Sequence, residues 1–314
     1  MKLIIQIPCY NEAKTLAIAL KALPRKVEGF DKVEWLIIND GSSDNSVEIA
    51  KECGVDHIIS FRKNQGLAKV FVAGIRKAID EGADVIVNTD ADNQYNADDI
   101  PKLVRPILEE KADFVIGARP ISEIEHFSIS KKILQKLGSL AVRLASNTDI
   151  PDAPSGFRAM SRTCASQLNV FNNYTYTLET IIQAGQKNMA IMSVPIRVNE
   201  DLRPSRLVKS IPNYIKKSII TIFRMFIVYK PFLFFMSVGI TFFLAGSCIG
   251  GRFLYYFFWG NGSGHIQSLI LASILIGIGF QTMLIAFIAD LLAVNRRLLE
   301  DIKFMEGVRR NAAK

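Results

Sequence analysis

Two aspartates one residue apart, Asp90 and Asp92, follow the apolar segment 85–87. If the strand predicted for this segment continues through them, side-chain alternation points both carboxylates to one side. Divalent cations such as Mg²⁺ prefer carboxylate and phosphate oxygens as ligands. The spacing therefore favours a metal that bridges the chain to a diphosphate and neutralises charge as the diphosphate leaves. The alternative is a solvated turn rich in Asp and Asn.

A series of short apolar runs, separated by helical patterns, predicts the elements that position these aspartates. The runs are residues 3–7, 35–38, 57–60, 85–87 and 114–116, and the clearest helical pattern covers 66–81. Strands that alternate with helices indicate an α/β fold with a mainly parallel sheet. Ligands of such sheets bind beyond the carboxyl ends of the strands.

Polar clusters follow three of the predicted strands, at residues 8–12, 39–44 and 90–94. We therefore expect the three clusters to share one edge of the sheet. In the second cluster, Asp40 is suited to accept hydrogen bonds from a base or a ribose. The alternative for that cluster is capping of a helix that begins at Ser46.

Charge is distributed unevenly along the 314 residues, a length that suggests about two domains. Residues 1–202 contain 24 Lys and Arg and 26 Asp and Glu, whereas residues 203–314 contain 14 and 4. Because the basic residues of the second part flank apolar segments, they indicate an anionic membrane surface rather than nucleic acid. Four widely spaced cysteines and an N-terminus without a cleavable signal pattern fit a cytoplasmic domain over residues 1–202.

Two uncharged apolar segments, residues 232–251 and 266–289, lie in the last third of the chain. Twenty helical residues extend about 30 Å, the thickness of the hydrocarbon layer of a bilayer. We predict transmembrane helices at about 231–257 and 266–290, within a hairpin over residues 230–294. The alternative is a buried helical hairpin of a soluble protein.

Basic residues on both sides of the hairpin predict its orientation. Residues 203–229 combine a basic face with an apolar face and predict amphipathic helices in the membrane interface, the alternative being a helix that packs on a core. Lys and Arg precede the hairpin and recur in residues 295–314, but the turn 260–265 has none. We therefore predict a multi-pass cell-membrane protein whose catalytic domain and C-terminal tail are cytoplasmic.

Five motifs occur in a fixed order: residues 7–12, 39–44, 64–68, 90–94 and 155–158. Their combination resembles the family 2 glycosyltransferases of the GT-A fold. Within that family the chain is most similar to the polyprenyl-phosphate glycosyltransferases, the dolichol-phosphate mannose synthase and GtrB-like group. The resemblance implies a Rossmann-like GT-A catalytic domain, followed by interfacial helices and a two-helix transmembrane hairpin.

The resemblance also implies roles for particular residues. Residues implied to bind the donor nucleotide and its phosphates are Pro8, Tyr10, Asn11, Glu12, Asp40, Asp90, Gln94 and Arg206. Residues implied to hold Mg²⁺ or Mn²⁺ are Asp90, Asp92 and Gln94. Residues implied to act in catalysis are Asp92, Arg119, Asp152 and Arg203. Arginine suits a phosphate acceptor because its planar fork binds phosphate through two parallel hydrogen bonds.

These features together predict an inverting, metal-dependent glycosyltransferase at the cytoplasmic membrane face. It would move a sugar from a UDP- or GDP-linked donor to a polyprenyl phosphate, either undecaprenyl or dolichyl. Membrane lipids are expected partners, nucleic acid is not, and the resemblance allows a homotetramer. One alternative is the same fold acting on another membrane acceptor, a glycolipid or a polysaccharide. Another is a non-catalytic membrane subunit that binds a nucleotide-sugar.

Overall fold

The chain forms two compact units, residues 1–219 with 306–314 and residues 220–305. The computed structural model describes residues 1–120, 143, 148, 150–170, 176–200, 220, 223–224, 227–259 and 266–312. The first unit contains a β-sheet with its helices, and the second contains one long helix and most of another.

A seven-stranded sheet organises the described part of the first unit. The strands are β1 Lys2–Cys9, β2 Lys32–Asn39, β3 His57–Ser60, β4 Val85–Asn88, β5 Phe114–Ala118, β6 Arg158–Ser161 and β7 Ile191–Pro195. Their order in space is β3-β2-β1-β4-β6-β5-β7. All pairings are parallel except those of β6, which runs antiparallel to both of its neighbours, β4 and β5.

Six α-helices of the first unit are described. They are α1 Leu16–Ala22, α2 Ser46–Glu52, α3 Leu67–Asp80, α4 Ile100–Leu108, α5 Arg162–Gln167 and α6 Thr177–Gln186. A short 3₁₀ turn, Ala97–Asp99, precedes α4. The predicted helix start at Ser46 is confirmed, and Asp44 accepts a hydrogen bond from the Ser46 amide at 3.1 Å.

Burial explains why the central strands read as apolar runs. All four residues of β4 are buried, as are seven of the eight residues of β1. Strands covered by helices on both faces carry near-continuous hydrophobic segments instead of an alternating pattern. The α/β fold and the five predicted strands, which correspond to β1–β5, are confirmed.

The apolar pattern does not predict β6 and β7. Strand β6 has only four residues and begins with Arg158, so its sequence lacks the hydrophobic run that marks a buried strand. Strand β7 lies at the edge of the sheet and ends at Pro195. Both strands depend on pairing with β5, which a local pattern does not report.

Helix α7 Pro231–Trp259 lies in the second unit, and α8 Ile266–Ala312 begins there, whereas its residues from 306 onward belong to the first unit. The segments 231–259 and 266–300 are long and apolar enough to cross a membrane, and few of their residues are buried. The first agrees with the predicted span. Helix α8 instead continues beyond the predicted end near residue 290, because the following residues include no proline and are mostly good helix formers.

Two glycines allow α7 and α8 to approach each other closely. A Cβ atom on Gly239 would lie 2.7 Å from Cγ of Met283. A Cβ atom on Gly279 would lie 2.6 Å from the backbone nitrogen of Phe243. Small residues at a helix contact are typical of membrane helices, where close packing supplies much of the association energy.

Candidate active site

The three polar clusters predicted from the sequence follow adjacent strands of the sheet. Cys9 at the end of β1 is level with Asn39 at the end of β2, and Gln6 of β1 is level with Asn88 at the end of β4. Because the three strands are parallel, the loops that follow them leave the sheet at the same edge. The expectation of a shared edge is confirmed, and it is the edge where ligands of such sheets bind.

Hydrogen bonds join the loop after β1 to the loop after β2. The Asn11 amide donates to Oγ of Ser42 at 2.9 Å, and Oδ1 of Asn11 accepts a hydrogen bond from the Ser43 amide at 2.8 Å. The Glu12 amide donates to Oγ of Ser46 at 2.9 Å. Of the other residues predicted to bind the donor nucleotide, Pro8 has a buried side chain and Tyr10 has an exposed one.

Asp40 orders the loop that precedes α3. One of its carboxylate oxygens accepts a hydrogen bond from the Gln65 amide at 2.6 Å, and the other accepts one from the Gly66 amide at 3.0 Å. The side chain is buried. The structure thus gives Asp40 a structural function, and its contact with a base or ribose stays a prediction.

The acidic loop, defined here as residues 89–96, carries both aspartates of the Asp-x-Asp motif. Strand β4 ends at Asn88, so Asp90 and Asp92 lie in a turn and strand alternation does not orient them. Oδ1 of Asp92 accepts a hydrogen bond from the Gln94 amide at 3.2 Å. Thr15 donates to the Ala91 carbonyl at 3.1 Å and thereby connects the loop to the start of α1.

Asp90 packs directly against the backbone of Gly156. A Cβ atom on this glycine would lie 3.2 Å from Oδ2 of Asp90 and 3.2 Å from the Tyr176 hydroxyl. Any larger residue would have to displace one of these groups. The residue type at position 156 therefore helps to determine where the Asp90 carboxylate sits.

A buried hydrogen-bond network lies beneath this carboxylate. Oδ1 of Asn88 accepts a hydrogen bond from Nε2 of Gln6 at 2.8 Å. Nδ2 of Asn88 donates to the Gly156 carbonyl at 2.8 Å and to the Tyr176 hydroxyl at 2.9 Å. The Gly156 amide in turn donates to the Tyr95 hydroxyl at 2.9 Å. Burial raises the pKa of Tyr95 to about 12 and raises that of Tyr176 as well, so both hydroxyls are neutral at physiological pH.

Arg119 and Asp152, both predicted to act in catalysis, bind each other. Nε and Nη2 of Arg119 donate to the two carboxylate oxygens of Asp152 at 2.7 and 3.0 Å. Burial by itself would lower the pKa of Arg119, but the neighbouring Tyr95 and Asp152 raise it, and the net shift is upward. The guanidinium therefore remains charged at this edge of the sheet.

Arg158, the first residue of β6, is a buried cation below the site. Its guanidinium donates to the carbonyls of Ala153, Ser155 and Thr177 at 2.7 to 2.9 Å. It also donates to the Thr180 hydroxyl at 2.6 Å. Burial lowers its pKa to about 10. The residue thus fixes the segment between Asp152 and β6.

The structure brings together Asp90, Arg119, Asp152 and Gly156 at the edge of the sheet. Arg203 and Arg206, which the sequence also singles out, lie outside the described residues. Sequence reasoning does not assign site roles to Asn88, Tyr95 and Tyr176, which complete the buried network. The sequence feature that could have indicated Asn88 and Tyr95 is their position within a few residues of the Asp-x-Asp motif. No feature of the sequence around Tyr176 indicates a role at the site.

The donor set of the acidic loop fits a divalent cation that also binds a diphosphate. Among the described residues there is no group of three or more His, Cys, Asp or Glu that would enclose a metal by itself. Mg²⁺ is usually held by one or two carboxylates, with phosphate oxygens and waters as its remaining ligands. Asp90 and Asp92 provide such a partial set of oxygens, and Gly156 leaves room for the first of them.

Residues 4–168 match the family described as Glycosyl transferase family 2. The chain belongs to this family. It is thus a glycosyltransferase, and the resemblance inferred from the five motifs is confirmed. A similar protein is the UDP-N-acetylglucosamine–dolichyl-phosphate N-acetylglucosaminyltransferase of Methanococcus voltae. It is 28% identical over 212 residues, which are 61% of this chain and 83% of the relative.

Two further proteins extend the comparison of this family 2 member. The undecaprenyl-phosphate mannosyltransferase of Micrococcus luteus is 26% identical over 218 residues, 66% of this chain and 88% of the relative. The glucosyl-3-phosphoglycerate synthase of Mycobacterium tuberculosis, solved with Mn²⁺, UDP and phosphoglyceric acid, superposes with a TM-score of 0.55. That similarity covers 70% of this chain and 78% of the synthase at 17% identity, and it confirms the GT-A fold.

Proposed function

We propose that this glycosyltransferase moves a sugar from a nucleoside-diphosphate sugar to a polyprenyl phosphate at the cytoplasmic face of a membrane. The observation that carries the proposal is the arrangement of Asp90, Asp92 and the Arg119–Asp152 pair at one edge of the sheet, in a chain with two apolar helices. Two similar proteins are named for transfer to dolichyl phosphate and to undecaprenyl phosphate, which supports the acceptor class.

The donor would bind across the loops that follow β1, β2 and β4. The exposed ring of Tyr10 provides a surface on which a uracil or a guanine can stack. The residues proposed to line the nucleotide are Pro8, Tyr10, Asn11, Glu12 and Asp40. The proposed ligands of Mg²⁺ or Mn²⁺ are Asp90, Asp92 and Gln94. When bound, the cation would neutralise the charge that develops on the departing diphosphate.

The acceptor would bring its own nucleophile. A polyprenyl phosphate is already anionic near neutral pH, so its oxygen needs no strong general base. Arg119 stays protonated and is held in a fixed plane by Asp152, which prepares it to bind a phosphate oxygen. We assign Arg203 and Arg206 the same task of holding phosphates next to the membrane.

The transfer itself would be a single displacement. A phosphate oxygen of the acceptor forms a bond to the anomeric carbon while the bond from that carbon to the diphosphate oxygen breaks. The electron pair leaves with the nucleoside diphosphate. Attack from the face opposite the leaving group inverts the configuration of the sugar. Cationic groups that are already oriented toward the phosphates stabilise this charge movement, which is often the largest contribution to catalysis.

A transfer assay with the purified full chain in detergent tests the proposal. Undecaprenyl phosphate, Mg²⁺ or Mn²⁺ and a series of UDP- and GDP-sugars are supplied, and mass spectrometry detects the lipid product. We expect a glycosyl-phosphoryl lipid that is lost with EDTA and in Asp92→Asn. Asp98→Asn is the matched control, because Asp98 lies two residues beyond the acidic loop and has an exposed side chain.

The other outcomes separate the alternatives. Metal-dependent binding of a nucleotide-sugar without a lipid product would indicate a different acceptor, such as a glycolipid or a polysaccharide. The absence of both binding and transfer would contradict an enzymatic role. Full activity in Asp92→Asn would contradict the assignment of the metal site.

The proposed membrane topology has a separate test. Ser263→Cys introduces a thiol in the segment of chain between the two apolar helices, and the wild type provides the background from the natural cysteines. In intact cells we expect a membrane-impermeant maleimide to label the variant beyond that background. Labelling only after the membrane is opened would indicate the opposite orientation, with this segment on the cytoplasmic side.

A further inference from the structure

The segment after β7, residues 196–199 and called here the return segment, runs antiparallel beside the acidic loop. The Asn96 amide donates to the Arg197 carbonyl at 3.3 Å, and Tyr95 and Val198 form an antiparallel bridge. The Asn199 amide donates to the Gln94 carbonyl at 2.9 Å. The acidic loop thus has a backbone partner on a stretch of chain about a hundred residues away.

The side chain of Asn199 adds two bonds to the same loop. Its amide nitrogen donates to the Asn93 carbonyl at 2.9 Å and to the Tyr95 carbonyl at 3.3 Å. Together with its backbone bond to Gln94, this residue contacts three successive carbonyls of the loop. Asn93 has a φ of +60°, a left-handed conformation that is uncommon for a residue other than glycine. Such a turn depends on its surroundings to hold it.

An independent contact anchors the other end of the return segment. The Arg197 amide donates to Oδ2 of Asp99 at 2.7 Å, and Nη2 of Arg197 donates to Oδ1 at 3.0 Å. Asp99 is buried, and although burial raises its pKa, Arg197 and Lys102 lower it overall, so the carboxylate stays ionised. Loss of the Asn199 side chain should therefore loosen the acidic loop while the return segment remains in place.

We propose that Asn199 is a positioning residue that holds the turn carrying Asp92 and Gln94 in the conformation that binds a divalent cation with a nucleoside diphosphate. This inference rests on the proposed function, because it assigns the cation to the acidic loop. Asn199 contacts backbone carbonyls of the loop in the structure, and it acts on the site through them. Side chains that orient metal ligands in this way commonly affect metal affinity by 10- to 100-fold.

The test measures Mn²⁺ binding to the full chain in detergent, by electron paramagnetic resonance, with UDP or GDP present. For Asn199→Ala and for Asn199→Asp, which keeps the shape but removes the amide donors, we expect the Kd for Mn²⁺ to rise about 10-fold. The Mn²⁺ concentration for half-maximal transfer should rise equally, while kcat at saturating Mn²⁺ stays near that of the wild type.

Asn169→Ala is the matched control, since Asn169 is another asparagine whose side-chain amide donates to a backbone carbonyl, that of Gln167, outside the acidic loop. It should leave the Kd for Mn²⁺ unchanged. An unchanged Kd in both Asn199 variants, or an equal rise in the control, would overturn the inference.

Failure of the proposed function would be recognised separately, because the wild type itself would then bind no Mn²⁺. In that case, hydrogen exchange of the backbone amides in residues 89–96 tests the role of Asn199 without any need for Mn²⁺ binding. Faster exchange in Asn199→Ala than in Asn169→Ala would support the contact between Asn199 and the loop, and equal exchange would overturn it.

Discussion

Arg119 and Asp152 form a two-pronged salt bridge in which both side chains are almost entirely shielded from solvent, with 8% and 1% of their surface exposed. The Arg119 backbone amide donates to the same carboxylate at 3.2 Å. The pair connects the end of β5 to the segment before β6. Asp152 therefore sets both the plane and the position of the guanidinium, and Arg119 enters the proposed reaction already oriented.

The first prediction concerns the loss of this partner. Asp152→Ala leaves a buried guanidinium without its carboxylate, and breaking such a pair typically costs about 3–5 kcal/mol. We expect a clear fall in the melting temperature of the detergent-solubilised chain, together with loss of transfer activity. Glu109→Gln is the control, because it breaks only solvent-exposed pairs, with Arg105 and Lys111, and such pairs contribute little to stability. Equal melting temperatures for the two variants would contradict the prediction.

The second prediction concerns the contact between Gly156 and Asp90. In Gly156→Ala the added Cβ would stand 3.2 Å from Oδ2 of Asp90, so the carboxylate has to move. The shift needed is a few tenths of an ångström, less than the displacement of about 1 Å that can reduce a rate by about 10²-fold. We therefore expect a smaller loss in kcat/KM, about 10-fold, measured by the lipid-transfer assay. Gly251→Ala, where a Cβ meets no neighbouring atom within 4 Å, should retain activity.

The third prediction concerns stability in acid. Burial by itself would raise the pKa of Glu34, but hydrogen bonds from Lys2, Lys32 and His57 lower it from 4.5 to about 2. Because the carboxylate is favoured in the folded state, its contribution to stability is complete above about pH 4.5. That contribution is lost as the pH falls toward about 2.

Melting temperatures between pH 5 and pH 2 measure this effect. Glu34→Gln should be less stable than the wild type at pH 5 and should approach it as the pH falls. Glu28→Gln, which changes an exposed glutamate, should follow the wild-type curve. A constant gap between Glu34→Gln and the wild type across the whole range would show that the charge of Glu34 is not the cause.

The fourth prediction concerns the contact between the two apolar helices. In Gly279→Val the new side chain would meet the backbone of Phe243, and the helices would have to separate. Overpacking of a close contact costs about 1–3 kcal/mol. We expect a lower melting temperature in detergent for this variant. Gly277→Val, at a position where a Cβ meets nothing within 4 Å, should melt close to the wild type.

The sequence predicts those parts of the fold that local patterns encode. Strands β1–β5 are apolar runs, and the helical period over 66–81 appears as α3. The apolar pattern does not predict β6, because its first residue is a buried arginine. Hydrogen bonds from this arginine to four oxygens take the place of the hydrophobic contacts that are usual at a core position.

The candidate site likewise has a part that local sequence patterns predict and a part that they do not. The Asp-x-Asp motif marks the acidic loop, since both aspartates are neighbours in the chain. The network below it joins Asn88 to Gly156 and Tyr176, which are 68 and 88 residues further along. The pairing of Arg119 with Asp152 likewise depends on the sheet bringing β5 and β6 together. Contacts between residues so far apart in the sequence depend on the fold, and the spacing of residues along the chain does not predict them.

The reversed direction of β6 has a consequence for how this architecture can change. Ile116 of β5 is paired with Arg158 of β6, and the Gly117 amide donates to the Phe157 carbonyl at 2.9 Å. The chain therefore leaves the sheet at the end of β5 and rejoins it at the start of β6, at nearly the same point. The entropy of closing a loop depends only weakly on its length. Evolution or a protein engineer can thus vary the length of the chain between Arg119 and Asp152 at little entropic cost, provided that the Arg119–Asp152 pair and the contact of Gly156 with Asp90 are kept.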